Sequence, residues 1–254
     1  YGFDPSKVKI TPDNYLGDAL ESIIISKNGH YRDFLPLYEP QAEKYETWGC
    51  TVWGGQNQIE TYTKAAFDFE PNFNEIFNYI DAGVREGGAN PHVSYESFRK
   101  SGLIEHSLIK FPDTYQEFKS VNIEPFRPKG QEWLEGWEFK HAWITNPTIP
   151  QIISLLPYGP IGIGVTAWFE LDGLYVDNGM PNTHWCLAVD YEDSPIGQVL
   201  WIFDSYDHSI KKLHPTHKIS VAKRITLKKK DLEILKEYHE ENHYLVLLKK
   251  VWEF

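Results

Sequence analysis

The sequence predicts an α+β protein in which a mainly helical lobe is followed by a mainly β lobe, with a cleft between them. Apolar residues recur every three or four positions over residues 41–140, as in amphipathic helices. Runs rich in β-branched and aromatic residues dominate residues 141–254. Helices first and strands later are typical of α+β proteins, and a cleft between unlike lobes is a common place for a ligand site.

The first part of the chain is predicted to be an arm followed by three helices. No repeat, low-complexity run or flexible linker divides residues 1–254, so we predict one domain whose residues 1–40 form an N-terminal arm packed on the lobes. Within the arm, a helix is predicted from about Asp13 to Ser26, and the segment HYRDFLPLYEPQ is predicted to be extended. The helices of the first lobe are predicted over residues 50–67, 72–83 and 94–102.

The second lobe contains segments that read as strands separated by turn signals. They cover residues 162–169, 184–191, 198–206, 219–227 and 243–252. Before the last of them, the run LKKKDLEILKEYHEEN predicts a C-terminal helix. Its basic residues indicate a solvated helix face, with a docking patch for an acidic partner as the alternative.

Composition and charge exclude several classes of protein. The formal net charge of −11 argues against nucleic acid or an anionic membrane as the main partner, because both require clustered cations. No apolar run approaches the roughly 20 residues of a membrane span, and the start YGFDPSKVKI has no signal-peptide pattern. Two cysteines and no glycosylation sequon predict a reducing compartment such as the cytoplasm.

Cys50 is the candidate nucleophile of the sequence. It lies after Trp48-Gly49, where the chain can turn, and it opens the first predicted helix, whose N-terminus favours a thiolate. An imidazole must lie within hydrogen-bond reach, and His184 heads a strongly apolar strand. Asp204 ends the next predicted strand, where its carboxylate could orient that imidazole.

Two other interpretations of the cysteines remain open. Most free cysteines are small buried hydrophobic residues, and Cys50 could be one of them. Cys186 lies two residues after His184 on the same strand face and could join it and Cys50 in a metal site, although the spacing is not a usual zinc pattern. Core packing is the better interpretation of Cys186, and we predict no metal and no cofactor.

Five segments in order resemble the papain-like cysteine peptidases. CTVWGGQNQIE is similar to the nucleophile helix of that family, and EGGANPHVSYESFRKSGLIE to its Gly-Gly groove segment and the helix leading to Ser-Gly-Leu. GPIGIGVTAWFELDGLYVDNGM, THWCLAVDY and LWIFDSY resemble the strands and loop that carry its histidine and third catalytic residue. His184 follows Cys50 by 134 residues, within the roughly 130 to 150 expected for a papain-type enzyme.

The resemblance implies a two-lobed papain-like fold, with a β-barrel-like second lobe, and a cysteine peptidase that acts on a peptide or protein substrate. It implies Cys50 as nucleophile, His184 as general base and acid, and Asp204 where the family usually has Asn. The family's oxyanion glutamine normally lies six residues before the cysteine, where this chain has Lys44, so Gln41 is the candidate for that role. The residues implied in substrate binding are Gly87, Gly88, Thr183 and Tyr206.

Departures from the family pattern keep two other functions open. Lys44 and the Asn-to-Asp change favour a papain-like fold retained as a structural or binding component, for instance of a viral particle. The same triad could instead hydrolyse an amide of the bacterial cell wall. The absence of the disulfides of secreted members fits the compact relatives carried by bacteria and viruses.

Overall fold

The helices lie mainly in the first lobe of the structure, a computed structural model that describes residues 3, 23–207 and 209–230. The α-helices are α1 (Cys50–Phe67), α2 (Glu75–Asp81), α3 (Pro91–Ser101), α4 (Tyr115–Lys119), α5 (Arg127–Gly136) and α6 (Ile149–Leu155). Short 3-10 turns occur at Arg32–Phe34, His106–Leu108, Glu124–Phe126 and Leu156–Tyr158. No helix among these residues is long and apolar enough to cross a lipid bilayer.

The strands of the described residues form one sheet of eight strands. They are β1 (Trp137–Thr145), β2 (Ile161–Val165), β3 (Glu170–Leu171), β4 (Leu174–Tyr175), β5 (His184–Ser194), β6 (Gly197–Phe203), β7 (Ile210–Leu213) and β8 (Val221–Lys229). Their order is β1-β8-β2-β5-β6-β7-β4-β3. Neighbouring strands are antiparallel except β4 and β7, so the start of β5 lies beside the end of β6.

Helix α1 packs against both lobes and is buried from Cys50 to Thr63. A Cβ added to Gly54 would lie 3.0 Å from the Trp185 ring on β5, and one added to Gly55 would lie 2.6 Å from Phe98 on α3. The two glycines therefore let α1 approach the sheet on one side and the helices on the other. This close packing fixes the position of the first turn of α1.

Polar residues in the middle of α1 are satisfied by both lobes. Gln58 Nε2 donates to the Pro160 carbonyl at 2.7 Å and to the Lys223 carbonyl at 3.0 Å, both in the β lobe. Glu60 Oε1 accepts from the Phe73 backbone N–H at 2.8 Å in the helical lobe. Burial raises the pKa of Glu60 well above its ordinary value. Because buried polar groups must be hydrogen-bonded, these contacts set the register of α1 between the lobes.

Gly102 ends α3 in a conformation that an L-residue rarely adopts. Its φ and ψ are 76° and −165°, a region occupied essentially by glycine. The backbone of α5 crosses directly over it, so an added Cβ would lie 1.9 Å from the Gly130 carbonyl oxygen. The Ser-Gly-Leu motif after α3 is therefore a crossing point of two backbones.

Gly102→Ala is expected to destabilise the protein by about 3 kcal/mol or more, since backbone strain and a steric clash add at this position. Gly83→Ala is the matched control, because Gly83 also has a positive φ, of 64°, but has open space around its Cα. It is expected to cost only about 1 kcal/mol. Urea unfolding of both variants measures the difference, and equal losses would show that the α3–α5 crossing tolerates a methyl group.

The predicted α+β class is confirmed, and the predicted helix over residues 50–67 coincides with α1. The helices predicted at 72–83 and 94–102 correspond to the shorter α2 and the longer α3. Four strand predictions correspond to β2, β5, β6 and β8. The segment HYRDFLPLYEPQ contains a 3-10 turn at Arg32–Phe34 and is otherwise irregular.

Some predicted helix boundaries are wrong, and one strand crosses the division between the two predicted lobes. Strand β1 begins at Trp137, inside the region assigned to the helical lobe, because residues 137–145 pair along their whole length with β8. The predicted helix LKKKDLEILKEYHEEN begins too early, since Leu227 pairs with Phe139 and β8 continues to Lys229. The rest of that helix beyond residue 230 and the predicted strand 243–252 lie outside the described residues. So do residues 13–22 of the predicted N-terminal helix, and residues 23–26 are not helical.

Candidate active site

Cys50 lies at the N-terminus of the central helix. It is the first residue of α1, and Gly49 precedes it as the N-cap. The chain enters the helix through Trp48, whose φ is 56°, and the Val52 N–H donates to the Gly49 carbonyl at 2.8 Å. The N-terminus of an 18-residue helix carries the positive end of its dipole, which attracts negative charge at this position.

His184 and Asp204 meet because β5 and β6 are antiparallel neighbours. His184 is the first residue of β5 and Asp204 follows the last residue of β6, and the pairing of Leu187 with Phe203 aligns the two ends. His184 Nε2 lies 2.7 Å from Asp204 Oδ1, and both side chains are fully buried. The carboxylate thus fixes one ring nitrogen of His184, and Nδ1 is the nitrogen left to face another group.

The charges of this cluster favour an imidazolium. Burial lowers the pKa of His184, but the Asp204 carboxylate and a hydrogen bond with the Cys50 side chain outweigh it and raise that pKa to about 9. Burial acts to raise the pKa of Asp204, yet His184 and Lys211 together hold it well below its ordinary value. The structure therefore brings Cys50, His184 and Asp204 close together, with His184 hydrogen-bonded to both of the others, and their catalytic role stays a prediction.

Aromatic side chains enclose the imidazole. The Trp168 ring lies edge-on to His184 with centroids 5.5 Å apart, and the Tyr206 ring lies 5.3 Å away. The Tyr206 hydroxyl donates to Glu46 Oε2 at 2.5 Å, and burial together with this carboxylate raises the pKa of Tyr206. Tyr206 and Trp168 shield the contact between His184 and Asp204 from water.

Gln41 contacts Ser205, the residue that follows Asp204. Its backbone N–H donates to the Ser205 carbonyl at 3.0 Å, and its Oε1 accepts from Ser205 Oγ at 2.6 Å. Thr47 Oγ1 donates to the Gln41 carbonyl at 2.8 Å and ties it to the loop that enters α1. Since Ser205 fixes Oε1, the amide nitrogen is the end that faces away from Ser205, and it lies 3.5 Å from Glu46 Oε1.

Lys44 points away from the candidate triad. Its Nζ contacts Asp113 at 2.6 Å and the Phe111 carbonyl at 3.4 Å, in an exposed pair at the surface of the helical lobe. The residue at the family's usual glutamine spacing therefore forms a surface ion pair, and the longer loop brings Gln41 near Ser205 instead.

Phe3 joins the two walls of the predicted substrate groove. On one wall, Gly87 and Gly88 have φ values of 83° and 89° and lead into Ala89, which forms an isolated parallel bridge with Phe3. On the other, the Thr183 carbonyl accepts from the Phe3 N–H at 3.1 Å. A residue of this chain thus makes a backbone contact of the kind that an extended peptide would make there.

The ring of Phe3 fills an apolar site next to the catalytic candidates. It packs edge-on against Trp185, which follows His184, with centroids 5.8 Å apart. An added Cβ on Gly164 of β2 would lie 2.7 Å from the ring, so the absence of a side chain there makes room for it. Phe3 is only 2% exposed. The predicted arm therefore contacts the lobes at the groove itself.

Sequence patterns do not predict two residues that contribute to the site, Glu46 and Lys211. Glu46 holds Tyr206 from 160 positions away, and no local pattern indicates that contact. Lys211 binds Asp204 and carries a weak signal, because it shares a strand face with Leu213 in IKKL and so occupies an inward position of β7.

Among the residues that the structure describes, no cluster of possible metal ligands includes Cys186. Cys186 is fully buried, its Sγ lies 4.0 Å from the Ile163 carbonyl, and burial raises its thiol pKa well above the ordinary value. Among the described residues, clusters of possible metal ligands are His92, Glu96 and His141, and Glu39, Glu75 and His106. In the first, Arg99 and Lys100 bind Glu96 at 2.7 and 2.8 Å and oppose a further cation. The absence of a cofactor stays a prediction.

Solved structures of cysteine proteases share this architecture. Procathepsin L2 from the larval midgut of Tenebrio molitor is 11% identical, with a TM-score of 0.57 over 84% of this chain and 72% of that one. A recombinant stem bromelain precursor is 12% identical, with a TM-score of 0.56 over 91% and 74%. The cysteine protease and lectin-like domains of Cwp84, a surface layer associated protein of Clostridium difficile, are 10% identical. Their TM-score is 0.60 over 83% of this chain and 54% of that one.

The chain therefore has the papain-like fold, and the predicted resemblance is confirmed at that level. No protein-family model and no curated protein sequence matches it. At identities of 10 to 12%, the likeness establishes the fold alone, and the reaction must be argued from the residues of the site.

Proposed function

We propose that the chain is a cysteine peptidase that hydrolyses peptide bonds through a thioester on Cys50. The observation that supports this most directly is that His184 contacts both Cys50 and Asp204. The papain-like fold supports a hydrolase in general terms. In this proposal, Asp204 orients the imidazole, and the imidazolium stabilises the thiolate, which is the reactive form of the thiol.

The residues of the site supply each step of the proposed reaction. The Cys50 thiolate attacks the peptide carbonyl carbon, and the Cys50 backbone N–H and the Gln41 amide stabilise the oxyanion. The His184 imidazolium then gives its proton to the leaving amine as the C–N bond breaks. Water attacks the thioester with His184 as base, which releases the acid and restores the thiol.

An extended peptide is the proposed substrate. Its backbone would pair along Gly87 and Gly88, and one of its N–H groups would take the place of the Phe3 N–H at the Thr183 carbonyl. A cavity of about 400 Å³ is lined by Glu46, Trp168, Tyr206 and Asp207, and the rings of Trp168 and Tyr206 contact His184. This cavity offers room for the leaving part of the chain.

A second candidate function is a papain-like fold retained for binding. Cys50, His184 and Asp204 are each 0% exposed, and Phe3 lies between the walls of the groove. A closed cleft of this kind favours a binding or structural role over turnover. The two candidates differ in whether Cys50 can react.

Selective alkylation of Cys50 distinguishes the two functions. Cys50 and Cys186 are both fully buried, so burial alone predicts equally slow reaction with iodoacetamide. If His184 activates Cys50, native protein at pH 6 should be alkylated at Cys50 on the order of 100-fold faster than at Cys186. Peptide mass spectrometry gives both rates. Equal rates would favour the binding role and contradict the peptidase.

Phe3→Ala should increase the apparent affinity for peptide substrates. A substrate must displace Phe3 from Thr183 and from the Trp185 ring, so removing the ring removes a competitor that buries an aromatic side chain. A decrease in KM of about tenfold is expected, equivalent to about 1.4 kcal/mol, with a smaller change in kcat.

Phe169→Ala is the matched control for Phe3→Ala, because Phe169 is a phenylalanine near Trp168 that is 50% exposed. Its KM should stay close to that of the parent. A KM that rises in Phe3→Ala would show that Phe3 supports the groove instead of occupying it.

A further inference from the structure

A buried lysine lies behind the candidate triad. Lys211, on β7, is 4% exposed, and buried lysines are rare unless they are paired. Its Nζ contacts Asp204 Oδ2 at 2.8 Å and Asp207 Oδ2 at 2.6 Å. It also lies 5.2 Å from the centroid of the Trp168 ring, whose face attracts cations. The proposed reaction gives Lys211 no direct role.

Lys211 and His184 hold opposite oxygens of the same carboxylate. Asp204 Oδ1 accepts from His184 and, at 3.2 Å, from the Tyr206 backbone N–H, while Oδ2 accepts from Lys211. The Asp204 carboxylate cannot rotate without losing one of these hydrogen bonds. Because His184 is oriented by Oδ1, the position of Lys211 determines the orientation of the imidazole indirectly.

The ion pair also changes the charge that His184 meets. An isolated buried carboxylate would bind the imidazolium very tightly and would be costly to bury. Lys211, at 2.8 Å, offsets part of this negative charge, although it shares its own charge with Asp207 at 2.6 Å. The resemblance to papain-like peptidases places a neutral Asn at this position, so Lys211 brings the net charge of the acceptor closer to that of Asn.

We propose that Lys211 is a positioning residue of the triad, which fixes the Asp204 carboxylate and offsets its charge so that His184 can exchange its proton. The inference rests on the proposed function in that it assigns Lys211 a part in the same site. It concerns the protonation state of His184, which can be measured whether or not a peptide is cleaved.

The surroundings contain few other charges that could replace Lys211. The titratable groups that face Asp204 or Lys211 from the packed elements are Tyr38 of the N-terminal segment, Cys50 of α1, Tyr175 of β4, His184 and Cys186 of β5, and Tyr206 and Asp207 after β6, with Glu46 behind Tyr206. Among these described groups, none besides Lys211 is a lysine or an arginine. Removing its charge should therefore leave the His184 imidazolium to compensate the Asp204 carboxylate.

The test compares Lys211→Met, Asp204→Asn and the double variant in the full chain. The readout is the alkaline inflection in the pH dependence of Cys50 alkylation by iodoacetamide, which marks loss of the His184 proton. Lys211→Met should move the inflection up by about one pH unit, and Asp204→Asn should move it down by about one unit or more. The double variant, in which Asn replaces the ion pair, should return to within about half a unit of the parent.

Lys212→Met is the matched control. Lys212 is the neighbour of Lys211 on β7, but it pairs with Glu192 at 3.0 Å on the other face of the strand. The inflection of Cys50 alkylation in Lys212→Met should stay at the pH of the parent. A purely structural effect of losing a lysine would alter thermal unfolding without shifting the inflection in opposite directions for Lys211→Met and Asp204→Asn.

Each possible result either supports or overturns the proposed role of Lys211. If Lys211→Met leaves the inflection unchanged, or Lys212→Met shifts it equally, the inference is wrong. If Lys211→Met does not fold, the double variant is compared with Asp204→Asn, and identical inflections in those two would also overturn it. If the variants show the expected shifts but the parent protein cleaves no peptide, the peptidase is contradicted and the role of Lys211 is left intact.

Discussion

Cys50→Ala is expected to abolish peptide hydrolysis. The thioester forms on Sγ, and an alanine at the start of α1 offers no atom that can form it. Loss of a nucleophile lowers kcat on the order of 10⁶-fold in a triad hydrolase, so residual turnover should fall below detection. The fold should survive, since alanine is a good helix former and only one buried sulfur is lost. Initial rates on a fluorogenic peptide set, with thermal unfolding of the same samples, measure both effects.

Cys186→Ala is the control for the loss of a buried thiol. Both cysteines are fully buried, but Cys186 packs within the core of β5 and its Sγ lies near the Ile163 carbonyl. It should lower stability by about 1 kcal/mol, as expected for a small cavity, and leave kcat unchanged. Hydrolysis that persists in Cys50→Ala, or that disappears in Cys186→Ala while the protein stays folded, would contradict the assignment of Cys50.

The central helix and the contact between His184 and Asp204 could be predicted because local signals determine them. Trp48-Gly49 marks the turn into α1, and Asp68, with a φ of 52°, ends it in the left-handed region. His184 and Asp204 sit at the adjacent ends of two antiparallel strands, which their apolar runs indicate. A short connection between two such strands makes them neighbours, so the contact follows from the order of elements.

Long-range side-chain contacts could not be predicted in the same way. Glu46 reaches Tyr206, and Phe3 reaches Thr183, across more than half of the chain. Neither contact produces a periodic pattern in the sequence, because each involves only a single residue at either end. The sequence predicts helix at the C-terminal end of β8 for a related reason. Lys228 and Lys229 have weak strand propensity, and their pairing with β1 overrides it.

His184→Gln is expected to remove both the catalytic proton and the activation of Cys50. Glutamine can still donate a hydrogen bond to Asp204, but it cannot carry a positive charge beside the thiol. At pH 6 the alkylation of Cys50 should slow on the order of 100-fold, and peptide turnover should fall on the order of 10⁴-fold or more. Iodoacetamide rates and peptide hydrolysis on the same preparation separate thiol activation from proton transfer.

The pKa of His184 determines the direction in which pH changes turnover. The pKa of His184 is raised to about 9, so the imidazolium persists below that pH and loses its proton as pH rises through it. Turnover of the parent should therefore decline near pH 9, because a neutral imidazole has no proton for the leaving amine. The charged pair also contributes stability that is complete below about pH 6.5 and is lost toward pH 9.

His217→Gln is the matched control, since His217 is also buried but contacts the Tyr175 carbonyl at 3.2 Å, and burial lowers its pKa. It should keep the inflection near pH 9 and the parent's turnover. In His184→Gln the fast alkylation of Cys50 at pH 6 should be lost. If it persists there, the positive charge beside Cys50 does not come from His184. The N-terminus of α1 would then be the remaining source of the reactivity of Cys50, and its effect is expected to be weaker than that of an adjacent imidazolium.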